Sequence, residues 1–395
     1  MSGTNFVARC AAGPCYAWRA MTDDRLQRLT ARRRVVVCAG AGGVGKTTIA
    51  AALSLSAARR GRRVLCLTID PARRLADSLG LSLAPGVEVE VKPELLASVG
   101  SAPGGSLSVA MLDPKQTFDD LVKRHASTPQ VAERILQNQF YQHVSTSLAG
   151  TQSYMAMEKV LGVLKSARYD LIVLDTPPTS EALDFLDAPE RLVEALDSPA
   201  MRWLVQAFQP STGFSMRLLA RGVAALLRTM GRLTGRGFLE DMAAFVGELN
   251  ELFGGFKERA AEVSRAFRAP DFAYLLVAAP SSAALEEARF FAERLRRLGL
   301  SADALVLNRV HSAHPYRASR AELEAALAQR GLHADPEHLL RAQADEHARS
   351  QTELPELVKA QKLFDRDNLW LVPVMAGDVR GLSDLAKVSR ALTDR

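Results

Sequence analysis

The residues Gly40-Ala41-Gly42-Gly43-Val44-Gly45-Lys46-Thr47 satisfy the spacing G-x-x-x-x-G-K-[ST] in full. Glycines at this spacing let successive backbone N–H groups turn inward around phosphate oxygens, where side chains would obstruct them. Lys46 brings a point charge to the β and γ phosphates, and the Thr47 hydroxyl is placed to ligate magnesium, with Thr48 next to it. A glycine cluster alone marks only a turn. Here the β-branched run Arg34-Val35-Val36-Val37-Cys38 precedes it, and an alanine-rich helical segment from Lys46 to Arg60, closed by Gly61, follows. The positive end of that helix adds to the attraction for phosphate. The expected ligand is ATP with Mg2+.

Three further residues stand where apolar runs end. Asp70, in Thr68-Ile69-Asp70-Pro71, can orient and polarise a water facing the γ-phosphate, or can cap a helix starting at the proline. Asp175 closes Leu171-Ile172-Val173-Leu174, the form of an acidic motif that holds magnesium through water; the alternative is an Asp-capped surface turn. Its successors Thr176-Pro177-Pro178-Thr179 are rigid enough for a loop that senses the γ-phosphate. Asn308 follows the run Ala304 to Leu307. Its amide can read an adenine edge through one donor and one acceptor, or can simply end the strand in a turn.

These positions require a scaffold of strands ending in loops. Residues 34 to 69 form one β-α-β unit, and further buried runs follow at Leu171–Leu174, Tyr274–Ala278, Ala304–Leu307 and Leu369–Val372. The pattern predicts an α/β fold with a doubly wound, mostly parallel sheet, which places ligands at the carboxyl ends of its strands. Two long helical stretches, about 115–165 and 188–268, read as one helical subdomain inserted into a P-loop domain spanning 31–395. Ala97 to Ser108, rich in Gly, Ser and Pro, reads as a surface loop. Residues 1–30 read as a disordered tail outside the fold, with Met21 a second candidate start.

Composition narrows the function classes. With 395 residues, 48% of them hydrophobic, the chain can bury a substantial core. No apolar run approaches the roughly 18 residues of a membrane span, so stable membrane insertion is not expected. The first twenty residues lack the apolar core of a secretory signal, and the expected location is the cytoplasm. A net charge of +6 with scattered basic residues and no recognition motif points away from nucleic acid. The four cysteines, Cys10, Cys15, Cys38 and Cys66, make neither a disulfide framework nor a zinc ribbon.

Together the ordered blocks resemble the arsenite-pump and tail-anchored-protein-targeting ATPases, dimeric P-loop proteins of the SIMIBI class. Gly42 to Thr48 resembles the family's phosphate loop. Asp70-Pro71-Ala72 with Leu75, Ala76 and Asp77 resembles its first switch, and Asp175 to Thr179 its second. Asn308 matches its adenine-contacting asparagine, and Pro373 to Gly381, including Asp378, resembles the loop that closes over adenine. The resemblance implies ATP hydrolysis, Asp70 as the water-orienting residue, and a homodimer or a dimer with a paralogue. Two departures stand out. The family's lysine before the Gly-Gly pair, which reaches the partner's phosphates, is here Ala41, and Arg73-Arg74 stand where a histidine is usual. Either arginine is a candidate for the missing charge in trans.

Three functions compete. In one, the helical subdomain grips an apolar helix of a membrane-protein client; Leu219, Val223, Leu226, Met230 and Leu233 recur at helical spacing, with Arg217, Arg221, Arg228 and Arg232 mostly on another face. Such a helix also simply covers a core. In the second, the chain energises an arsenite or anion efflux pump, a chemistry that calls for soft thiolates. In the third, it is a nucleotide-dependent scaffold with little hydrolysis, as Ala41 suggests.

Overall fold

The run of β-branched residues at Val35–Val37 heads the strand on which the sheet is centred. The computed structural model describes residues 25–70, 74–139, 141, 142, 145, 151–199, 255–311, 318–364 and 368–393. Its strands are β1 (Val35–Gly40), β2 (Arg63–Thr68), β3 (Glu88–Glu90), β4 (Ser106–Met111), β5 (Leu171–Asp175), β6 (Phe272–Ala278), β7 (Ala304–Val310) and β8 (Leu369–Pro373). They form one sheet in the order β3-β4-β2-β5-β1-β6-β7-β8. Each pairing is parallel except that of β3 with β4. Every residue of β1, β5 and β6 is buried, so both faces of the central sheet are covered. This is the expected doubly wound α/β architecture.

The helices before the second acidic strand are α1 (Arg25–Arg32), α2 (Lys46–Arg59), α3 (Arg74–Leu79), α4 (Pro93–Ser98), α5 (Pro114–His125), α6 (Pro129–Gln137) and α7 (Thr151–Ser166). After it come α8 (Thr179–Asp197) and α9 (255–267). The remainder are α10 (Ser282–Arg297), α11 (Arg320–Gln329), α12 (Pro336–Leu363) and α13 (Gly381–Thr393). Alanines let α2 lie close to the sheet, and nearly all of it is buried; α1 and α13 pack near it.

Two boundaries differ from the sequence reading. Ser106 to Met111 forms β4 inside and beyond the segment expected to be loop, because its apolar residues are buried beside β2 although glycine and serine dominate the run before it. Ordered packing also begins before residue 31: Leu26 and Thr30 of α1 are buried, so the tail expected at 1–30 is too long by residues 25–30. Residues 1–24 lie outside the described residues, as does the 200–254 part of the second helical stretch, including Ser215 to Leu233. Pro199 is the last described residue before that gap.

Within the helices between the strands, two ion pairs tie α9 to α7: an exposed one, Lys165 with Glu262, and a buried one, Arg259 with Glu158. Glu158 is 3% exposed and Arg259 8%. The guanidinium donates from Nε to both carboxylate oxygens, at 2.9 and 2.7 Å, and from Nη2 to Oε1 at 2.7 Å. Arg124 of α5 reaches the same Oε1 at 3.0 Å. Glu158→Ala would leave the buried guanidinium with Glu262 as its one remaining side-chain partner among the described residues. The expected loss in unfolding free energy is about 3 kcal/mol, the cost of breaking a buried pair from one side. A urea titration measures it, and Glu158→Gln is expected to lose less.

Candidate nucleotide site

The phosphate loop is built by close approach at both ends. β1 ends at Gly40, where an added Cβ would lie 2.0 Å from the Val277 carbonyl oxygen of β6. At the other end Gly45 has φ +93°, and a Cβ there would lie 2.3 Å from Asn308 Nδ2. Only glycine fits either place. Gly42 and Gly43 between them are exposed, whereas Val44 is buried.

Lys46 and Thr47 open α2. Lys46 is 8% exposed and donates from Nζ to the Ala41 carbonyl at 2.8 Å, folding back over the loop it belongs to. Burial pulls its pKa down, opposed by the negative charges of Asp175 and Asp70. Thr48 is half-buried in the first turn.

Strand pairing places Asp175 between the loop strand and β2: it stands opposite Cys38 of β1 and Thr68 of β2. Its Oδ2 accepts from Thr47 Oγ1 at 2.8 Å and from Thr68 Oγ1 at 3.0 Å. Its Oδ1 is buried and has no hydrogen-bond partner among the described residues. The residue is 1% exposed, and burial raises its pKa to about 6 against the lowering effect of both threonines and Lys46. A buried carboxylate with one oxygen unmatched, beside a hydroxyl at the start of the loop helix, fits a hydrated divalent cation. Thr47 and Asp175 are the residues that could hold it.

The flanking segments are fastened to the same strands. Thr176 donates from both its N–H, at 3.2 Å, and its hydroxyl, at 2.8 Å, to the Cys38 carbonyl. Pro178 lies near Gly42. Asp70, two residues past β2, is partly buried and pairs with Arg74 at 3.7 Å. That pairing engages one of the two arginines considered for the charge missing at Ala41; Arg73, with Pro71 and Ala72, lies outside the described residues.

The adenine-side residues divide. Asn308 is buried, and its Nδ2 donates to the Val44 carbonyl at 2.9 Å, so its donor side grips the phosphate loop. In the β7–β8 register Val372 stands opposite Asn308 and Pro373 opposite Val310, which brings Pro373 beside the loop's support. Asp378 is farther along an exposed segment, where it accepts from Arg380 at 3.3 Å. Two contributors were not legible beforehand. Thr68 carries a signal in retrospect, a hydroxyl at the end of β2 two residues before Asp70. Arg309, whose Nη1 donates to the Gly43 carbonyl at 3.2 Å, carries none.

Residues 33–330 match a protein family described as anion-transporting ATPase. The chain belongs to that family. This ATPase is also similar, nearly end to end, to fungal proteins called ATPase get3. The one from Pyrenophora tritici-repentis (strain Pt-1C-BFP) is 23% identical over 362 residues, covering 91% of this chain and 91% of that protein. The one from Aspergillus terreus (strain NIH 2624 / FGSC A1156) is 25% identical over 361 residues, with 91% and 90% covered. The Aspergillus niger (strain ATCC MYA-4892 / CBS 513.88 / FGSC A1513) protein is 24% identical over 362 residues, again 91% and 90%. Membership of the family makes the chain a nucleotide-binding protein that hydrolyses ATP.

The raised pKa of Asp175 in this ATPase has a measurable consequence. A carboxyl whose folded pKa of about 6 exceeds its unfolded value of about 3.9 favours folding fully only below the lower value. That contribution is lost as the pH rises through about 6. Asp175→Asn can still accept from Thr47 and Thr68 but does not titrate. In nucleotide-free, magnesium-free protein, the variant is expected to gain stability relative to the parent between pH 4 and pH 6, the gain levelling off above about 6. Urea unfolding across that range reads it directly; a difference that stays flat with pH would contradict the assignment. The same variant is expected to lose most of the thermal shift that magnesium adds to ATP.

Proposed function

We propose that this ATPase hydrolyses magnesium-bound ATP at the Gly40–Thr48 loop and uses its nucleotide state to gate helical segments that hold an apolar helix of a membrane-protein client. It would work as a homodimer or as a dimer with a paralogue. The observation that carries the chemistry is the buried Asp175 at the end of β5, bonded by Thr47 of the loop helix and Thr68 of β2.

From that arrangement the roles follow. Lys46 exchanges the Ala41 carbonyl for phosphate oxygens, so its charge is delivered without assembling a new geometry. Thr47 and Asp175 would hold magnesium, Asp175 through water, and the metal would supply positive charge that neutralises the charge developing on phosphate. Asp70 orients the attacking water. Thr176, anchored on Cys38, couples the segment after Asp175 to the loop strand. Since α8 continues directly from that segment at Thr179, a change at the γ-phosphate has a short covalent path into the helices beyond β5.

The targeting reading is supported by the end-to-end likeness to the proteins called ATPase get3. The family's description names anion transport, which keeps an efflux-pump subunit as the second reading. Against it stands the cysteine geometry: Cys38 and Cys66 are buried on β1 and β2, with β5 between them. Strands two apart are separated by roughly 9–10 Å, too far for both sulfurs to bond one ion. Burial also pushes the Cys66 thiol up to about 12 and the Cys38 thiol higher than usual, so neither supplies a thiolate at neutral pH. Among the described residues no helix is long and apolar enough to cross a membrane.

Lys46→Ala is expected to lose ATP turnover, and Asp70→Asn to bind ATP and magnesium while turnover falls by about 10²-fold or more. The Asp70→Asn chain held in ATP is then the bait for client capture, with Lys46→Ala as the control. A membrane protein bound through an apolar helix, present with the first and absent with the second, supports targeting; an efflux channel in its place would replace that reading with the pump. Arsenite and antimonite are expected to leave ATP turnover unchanged within about twofold. Stimulation abolished by Cys38→Ser or Cys66→Ser would revive the pump.

A further inference from the structure

The carboxyl end of β7 reaches across to the phosphate loop with two consecutive side chains. Asn308 Nδ2 donates to the Val44 carbonyl at 2.9 Å, and Arg309 Nη1 donates to the Gly43 carbonyl at 3.2 Å. Side chains of neighbouring residues on a regular strand point to opposite faces, so both could not reach one loop. The β7–β8 register resolves the conflict by shifting between Asn308 and Val310, leaving Arg309 as the extra residue of a bulge. Arg309 has φ +63°, a left-handed conformation that is costly for a residue with a Cβ. Ala167 is the only other non-glycine residue with positive φ among those described. Strain of this kind persists where surrounding contacts over-determine it, and it gathers at functional sites.

The two carbonyls engaged belong to the peptides Gly43–Val44 and Val44–Gly45. A trans peptide points its C=O and N–H in opposite directions. Drawing both carbonyls outward toward β7 therefore turns the N–H groups of Val44 and Gly45 the other way, toward the interior of the loop. A guanidinium on a carbonyl also polarises that peptide, strengthening the opposite N–H as a donor. Its full positive charge lies at the rim of a loop whose own residues, Gly40 to Thr48, include a single cation, Lys46.

We propose that Arg309 is a positioning residue of the phosphate loop. It acts with Asn308 to hold the Val44 and Gly45 amides toward bound phosphate, and so sets the affinity for the polyphosphate rather than for the nucleoside. This rests on the reading of Gly40–Thr48 as the ATP site. Phosphates held by these amides are held in both substrate and transition state. Losing the clamp therefore raises KM with little change in kcat, as loss of uniform binding does.

The probes are ADP and inorganic tripolyphosphate, titrated with magnesium against the full chain. Arg309→Ala is expected to weaken both by about tenfold, the loss of one charge-assisted hydrogen bond, with KM for ATP rising in parallel and kcat changing less than about threefold. Arg309→Lys, which restores a cation able to donate, is expected to recover part of the loss. Because alanine inherits the strained φ, Arg309→Gly supplies a variant whose backbone tolerates it and is expected to bind as weakly as Arg309→Ala. Weakened ADP binding with unchanged tripolyphosphate binding would assign the guanidinium to the base or ribose and overturn the proposal. Unchanged binding of both ligands by Arg309→Ala and Arg309→Gly, while Lys46→Ala loses them, would overturn it and leave the ATP site standing. Unchanged binding by Lys46→Ala would refute the site itself.

Discussion

A carboxylate held out of water at the end of β5 is the interaction on which the site depends. Asp175 lies where three strands meet: its own, the loop strand and β2. Thr47 and Thr68 each give it one hydrogen bond, but two neutral donors do not offset the burial of a charge, and its pKa rises accordingly. The folded chain therefore carries a local electrostatic cost that positive charge from a ligand can relieve. Catalytic sites commonly concentrate such costs, because groups matched to a charged ligand are mismatched without it.

The parallel order of the sheet follows from the same requirement. Placing β5 beside β1 brings an acidic strand end next to the loop, and placing β6 on the other side presses the Val277 carbonyl against Gly40. One neighbour thus selects the loop's glycine and the other supplies its carboxylate. Next in order, β7 supports the loop with Asn308 and Arg309, and β8 brings Pro373 level with that support. Chemistry carried by residues up to about 330 positions apart in sequence is collected along one edge of five adjacent strands.

What was legible in the sequence was whatever local chemistry dictates. The glycine spacing at 40–45, the buried runs after which Asp70, Asp175 and Asn308 stand, and the α/β alternation need no knowledge of tertiary contacts. The sheet order could not be read, because nothing local says that β5 rather than β2 adjoins β1. β4 was obscured by the glycine and serine run before it; only the burial of Leu107, Val109 and Met111 beside β2 identifies it as strand. Arg309 was hidden for a different reason. Its role depends on a register shift relative to β8, some sixty residues later, and an arginine after a strand-end asparagine looks like ordinary surface charge.

The outlying helices α11 and α12 bear on how the molecule comes apart. Helix α11 buries no residue, and α12 buries none before Ser350. The pair is held to the rest of the described chain mainly through the later turns of α12, where Leu357 and Ala360 are packed and Glu356 and Lys359 bond Ser282 of α10. Amide protons in α11 are expected to exchange by local opening of that helix and its contacts with α12, and those of β1 only when the sheet opens. The same chain contains two very different exchange clocks, and the faster one can run many times without disturbing the nucleotide loop.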